Sequence, residues 1–147
     1  MLEKYLELLK QFAQRVGLVP AELFLQRQEI VIDDLAISLS CEELKDSNNI
    51  LCFSLLGIPN KNISKTVYME LLEANCFWIG TGGATLGIQE HSGEVIICSK
   101  ISLDDLNVTD FSKFIDNFSE IAHYWKKVIS KDPVHNISDK HSIGSLV

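Results

Sequence analysis

The chain of 147 residues holds 20 Asp and Glu against 13 Lys and Arg, for a formal net charge of −7. That acidity opposes association with polyanions and argues against nucleic acid or an anionic membrane surface as a partner. Apolar residues make up 46% of the chain, which excludes a disordered polypeptide and suffices for one globular domain over residues 1–131.

Leu2, Tyr5, Leu6, Leu9, Phe12, Ala13 and Val16 recur at spacings of three and four, with Glu3, Lys4, Glu7 and Lys10 on the other side. The pattern predicts an amphipathic helix ended by Gly17 and Pro20. Leu8 falls off the stripe and is expected at the surface. From Leu23 the pattern turns strand-like: Leu23-Phe24-Leu25 and Ile30-Val31-Ile32 are separated by polar residues, as in a hairpin or a bulged single strand. Asp33-Asp34 turn the chain into Leu35 to Ser40, where Leu35, Ile37 and Leu39 alternate with smaller residues. After the turn-rich Lys45 to Asn49 comes the apolar run Ile50 to Leu56, stopped by Gly57-Ile58-Pro59. Three antiparallel strands are expected.

Ile63-Ser64-Lys65-Thr66 opens a second helix, with Ser64 or Thr66 as N-cap. Val67, Leu71 and Ala74 share one face, with Tyr68, Leu72 and Asn75 beside them. A helix apolar over so much of its circumference needs cover on more than one side. The stretch from Glu73 to Gln89 then packs Phe77-Trp78-Ile79, breaks at Gly80-Thr81-Gly82-Gly83 and resumes as a strand, Ala84 to Gln89. Ser92-Gly93 closes a hairpin with a further strand, Glu94 to Cys98. Thr109-Asp110 cap a third helix, in which Phe111, Phe114, Ile115, Phe118, Ile121, Ala122, Trp125, Val128 and Ile129 keep helical spacing. Pro133 stops it, and residues 132–147 are expected to form a flexible tail.

Little here points to reaction chemistry. Cys41, Cys52, Cys76 and Cys98 match no zinc or redox spacing and are expected as buried reduced thiols. His91, His123, His135 and His141 stand at no metal-ligand spacing, and Asp33-Asp34 and Asp104-Asp105 are ordinary turn formers. No catalytic residue, metal or cofactor is expected. The glycine run invites an anion-binding reading, but phosphate cradles run from a strand into a helix N-terminus, and the nucleotide version adds Lys-Ser/Thr. A tight corner accounts for Gly80, Gly82, Gly83 and Gly87 instead. The N-terminus, MLEKYLELLK, lacks the apolar core of a secretory signal, and no segment approaches membrane-spanning length. The expected compartment is therefore the cytoplasm, without membrane insertion.

Several of these residues together resemble the Tir chaperone (CesT-like) family, the class I chaperones of bacterial type III secretion. They are Leu9 and Phe12 before Gly17-Leu18, Ile30-Val31-Ile32-Asp33, Leu56-Gly57-Ile58-Pro59, and above all Leu71-Leu72-Glu73-Ala74-Asn75-Cys76-Phe77 with Thr81-Gly82-Gly83-Ala84-Thr85-Leu86-Gly87, followed by the Phe118 to Trp125 helix. Cys76 departs from the pattern, where a leucine-like residue is more usual. The resemblance implies an α+β fold of a helix, three strands, a helix, two strands and a helix, assembled as a homodimer in the bacterial cytoplasm. It implies no enzymatic activity, and as partners one or more type III secretion effectors, bound through an extended N-terminal segment, with the secretion ATPase a further candidate.

On that resemblance, Tyr68, Leu71, Leu72, Asn75, Phe77, Thr85 and Leu86 are the expected dimer contacts. Leu8, Phe12, Leu23, Leu25, Ile30, Ile32 and Ile37 are the expected effector contacts, offering apolar pockets beside a sheet edge. The rival readings are a small enzyme with an anion site at Gly80 to Gly83, and a generic protein-interaction domain of the same fold.

Overall fold

The computed structural model describes residues 2–45 and 47–131. Among them run helices α1 (Leu2–Val16) and α2 (Ala21–Arg27), strands β1 (Glu29–Ile32), β2 (Leu35–Leu44) and β3 (Ser47–Gly57), helix α3 (Ser64–Asn75), strands β4 (Thr85–Ile88) and β5 (Val95–Ser102), and helix α4 (Val108–Ile129). The expected tail, with His135 and His141, lies outside the described residues.

The amphipathic stripe forms α1 as expected. Gly17 at φ +74° ends it, and the Leu18 N–H reaches back to the Ala13 carbonyl at 2.9 Å, the αL stop that glycine adopts without steric cost. Leu8 is not at the surface: only 5% of it is exposed, and it joins Tyr5, Leu9, Phe12 and Ala13 in the core. The contacting face is wider than the three-four stripe because α2 packs along α1 as well as α4 does. At the helix ends the stripe overreaches, and Leu2 and Val16 are exposed.

The residues read as a strand at Leu23-Phe24-Leu25 are instead the middle of α2. Ala, Glu, Leu, Gln and Arg are good helix formers, but a two-turn helix that buries only Phe24 shows no period. Tertiary contacts decide it. Phe24 lies 5.9 Å from Phe12, which stacks edge-on to Phe111 at 5.1 Å. Gln28 closes α2 at φ 51°, with its N–H on the Phe24 carbonyl at 2.7 Å and its side-chain oxygen accepting from the buried Tyr5 hydroxyl at 2.8 Å.

The sheet has five antiparallel strands in the order β1-β2-β3-β5-β4. Asp33 and Asp34, at φ 47° and 65°, make a two-residue turn with Ile32 opposite Leu35, the conformation that matches strand twist. Alternation sorts the faces: Leu35, Ile37, Leu39, Ile50, Cys52, Val95 and Ile97 are buried, while Ala36, Leu55 and Lys100 are exposed. α4 lies across β2, β3 and β5 on the buried face. β2 and β3 extend further toward their shared turn than the apolar runs suggest.

Two expected caps differ. Ile63, with no side-chain cap, precedes α3, so neither Ser64 nor Thr66 is the N-cap. α4 starts two residues early at Asn107, whose side chain accepts from the Asp110 N–H at 2.8 Å and leaves Asp110 in the first turn, where its charge suits the dipole.

The corner between α3 and β4 is a short 3-10 turn, Cys76–Trp78, followed by the glycine run. Gly82 and Gly83 sit at φ 58° and 94°, and a Cβ on Gly82 would strike Ile121. Gly80 has no such φ, but a Cβ there would lie 2.7 Å from that of Ala74. Gly87 is not part of the corner; it sits within β4, opposite Ile96. Gly80→Ala is expected to cost about 1–3 kcal/mol as an overpacked contact against backbone. Thermal unfolding should show this as a drop of several degrees, whereas Gly93→Ala, with no atom within 4 Å, carries only backbone strain at φ 73°.

Candidate binding surfaces

Two concave apolar surfaces lie at opposite edges of the sheet. The first flanks β1, whose far side pairs with no strand among the described residues. The tight turn at Asp33-Asp34 and the Leu39 N–H to Gln28 carbonyl bond of 2.8 Å set the ladder's phase. Antiparallel alternation then points the backbone groups of Glu29 and Val31 outward, unpaired. Beside them α2 and its entry loop supply Leu18, Val19, Pro20, Leu23 and Phe24, enclosing about 160 Å³. Val19 is 90% exposed, Val31 64% and Leu23 42%. Arg27 and Glu29 also border this groove.

The second surface lies between α3 and β4. Tyr68, Leu71, Leu72, Asn75, Leu86, Gly87 and Ile88 enclose about 230 Å³. Leu72 is 70% exposed and Ile88 52%. β4 is also an edge strand, but it is partly closed: the Asn75 side-chain amide donates to the Leu86 carbonyl at 2.7 Å, and the Leu86 N–H donates to Asn75 Oδ1 at 2.9 Å. One side chain thus satisfies both backbone groups of Leu86, as a neighbouring strand would.

Of the residues expected to hold an effector, Leu8, Phe12, Ile30 and Ile37 are packed into the core at 5%, 2%, 7% and 0% exposure. Leu25 and Ile32 are half-buried, and Leu23 is exposed at the groove. The groove also uses Leu18, Val19, Pro20 and Val31, which are not among the expected effector contacts; the Val-Pro break before α2 is the signal that marks an exposed loop. Of the residues expected at a dimer contact, Tyr68, Leu71, Leu72, Asn75 and Leu86 share the α3–β4 pocket. Thr85 instead borders a pocket with Leu51, Trp78, Cys98 and Lys100 on the helix-free face, and Phe77 stands 82% exposed.

The glycine corner leaves little for an anion. The N–H groups of Gly80, Thr81 and Ala84 already donate to the carbonyls of Ala74, Trp78 and Thr81, and Thr81 is fully buried. His123 serves structure, its ring nitrogens lying 2.7 Å from the Ser119 carbonyl oxygen and 3.2 Å from that of Asp33. Among the described residues no group of three His, Cys, Asp or Glu is placed to hold a metal ion, and no helix is long and apolar enough to cross a membrane. The four cysteines are unpaired, but not all are buried: Cys52 is, Cys41 and Cys98 are half-buried, and Cys76 is exposed on the corner. Burial holds the Cys52 thiol well above the usual range, with Cys98 close by adding to the shift, and burial also raises Cys98.

Asn75→Ala would strip the Leu86 amide and carbonyl of their partners, a loss of about 1–3 kcal/mol. Hydrogen exchange should show Leu86 losing protection while β2 and β3 keep theirs.

The model of the Tir chaperone protein (CesT) family matches residues 7–126. No curated protein sequence matches the chain. Among solved structures, a chain of the HopA1-SchA chaperone-effector complex superposes with a TM-score of 0.66 at 24% identity, over 84% of this chain and 94% of the other. A chain of the ExsC-ExsE complex gives 0.65 at 18% identity, over 86% and 94%. A chain from the complex of the Yersinia pestis type III secretion chaperone SycH with a stable fragment of YscM2 gives 0.58 at 17% identity, over 82% and 98%. At these identities the likeness is one of fold.

Proposed function

Because the chain belongs to the Tir chaperone protein (CesT) family, we propose that it is a type III secretion chaperone which holds an extended segment of one or more effectors along β1. The observation that carries this reading is the unpaired edge at Glu29 and Val31 lying directly beside the exposed apolar groove of α2. An extended client adds its main-chain hydrogen bonds to that edge and drops alternate apolar side chains into the groove. Main-chain pairing tolerates many sequences, and the client's ordering entropy is offset by a long contact. The action is binding without turnover, in the bacterial cytoplasm.

We propose further that the α3–β4 surface is covered by a second copy. Burying Met69, Leu72 and Ile88, now 54%, 70% and 52% exposed, would contribute about half to two-thirds of the roughly 1.5–3 kcal/mol that complete burial of such a side chain is worth. A twofold contact of this kind presents the same patch from both partners, and a stable one removes at least about 1,200 Å² in total. Asn75 shapes how it forms. With the Leu86 backbone already satisfied, the two copies meet by side-chain packing and not by continuing the sheet through that residue.

Leu23→Asp is expected to lower client binding at least about tenfold while leaving the oligomeric state unchanged, because an unpaired charge would be buried in an apolar groove. The measurement is co-purification from a type III secreting bacterium followed by titration of the captured protein; full retention of affinity would place the client elsewhere. Leu72→Asp should do the reverse, shifting light-scattering mass toward one chain with the fold intact by circular dichroism. A mass unchanged from the unsubstituted protein would refute the α3–β4 contact.

A further inference from the structure

α3 carries a second concavity on the flank opposite the Leu72 pocket. Glu70 and Glu73, one turn apart on α3, face Tyr124 and Trp125 of α4 and Ile79 of the corner across about 470 Å³. Its floor is rigid: the Trp125 indole N–H donates to the Gly80 carbonyl at 3.0 Å, and Gly80 lies so close to Ala74 that no side chain fits between them. Its walls are open, with Ile79 82% and Tyr124 60% exposed. The positive φ of Phe77 and Trp78 turns the chain sharply just before Ile79. Neither carboxylate forms an ion pair or hydrogen bond with a described residue.

Two unpaired carboxylates beside the exposed ring of Tyr124, which packs edge-on against the buried Trp125 at 5.1 Å, complement a planar cation. An arginine stacks on the ring and forks its donors to the acids, which a lysine cannot do with equal geometry. We infer that this pocket receives an arginine side chain of the client that lies along β1.

The inference rests on the proposed chaperone role, and the path of α4 supports it. The same turns of α4 that wall the pocket also hold the end of β1: the Lys126 ammonium donates to the Asp34 carbonyl at 2.9 Å, and His123 meets Asp33. A client leaving β1 at Asp33 has only the width of one helix to cross, about 10–12 Å, or about three to four extended residues. The pocket would thus read one basic residue at a fixed offset from the apolar run, adding selectivity that main-chain pairing lacks.

The test uses the full chain and two probes. In nitrogen-proton correlation spectra, the chain's two tryptophans separate the sites: N-acetyl-arginine methylamide should move the Trp125 indole signal and leave that of Trp78 in place. The citrulline analogue should move neither. Glu70→Gln with Glu73→Gln should abolish the shift, while Glu3→Gln with Glu7→Gln, on exposed α1 positions, should not. The second probe is a fluorescent peptide alternating valine and serine, followed by a short spacer and one arginine. It should bind about tenfold more tightly than its citrulline twin, and the Glu70, Glu73 double variant should erase that difference without changing the twin's affinity. Equal movement of the Trp125 signal by arginine and citrulline, or equal measurable affinity of the two peptides, would overturn the inference. If neither peptide binds while arginine still moves Trp125, the β1 groove is refuted and the pocket's arginine recognition stands.

Discussion

A side-chain amide doing the job of a β-strand ties the two halves of this fold together. Asn75 ends α3 and holds both backbone groups of Leu86 in β4, so helix and edge strand are joined across the corner by two hydrogen bonds of 2.7 and 2.9 Å. The corner can close that tightly only because Gly80 brings backbone against Ala74, and the Trp125 indole on the Gly80 carbonyl carries the same constraint into α4. The Leu72 pocket on one flank of α3 and the acidic, aromatic pocket on the other both take their shape from this junction.

The sheet's two edges are thereby given different chemistry. β4 is sealed at Leu86 by its own chain, which favours association through apolar side chains. β1 is left unpaired at Glu29 and Val31, next to a groove whose apolar members sit on a short helix and its entry loop. An edge strand with exposed apolar neighbours is ordinarily an aggregation hazard. Here it is only four residues long and bordered by Arg27 and Glu29, which limits indiscriminate pairing while leaving room for an extended partner.

Much of this could be read from residues alone where the period was long. α1 and α4 followed from repeated three-four spacing, the β2 and β3 strands from alternation and turn residues, and the corner from glycines that a β-carbon would block. Leu8, however, looked peripheral because the stripe counts one packing partner, and α1 has two. α2 looked like a strand because seven residues with one buried side chain have no measurable period. Ile30 and Ile37 were expected as contacts for an effector, yet an apolar residue near a sheet edge can point to either side of the sheet, and these point into the core; Phe12 is likewise buried, held on α1 between Phe24 and Phe111.

The sequence by itself determined the class of fold, the family, and the absence of any spacing that suggests reaction chemistry, because those properties live in periodicity, composition and short motifs. Only the tertiary structure decided which apolar residues remain available, that Asn75 closes one edge, and that Glu70 and Glu73 meet Tyr124 and Trp125 more than fifty positions away in the chain. The physical reason is that exposure and edge pairing depend on what lies opposite each residue, and the chain brings those neighbours together only when α3, the corner and α4 have packed.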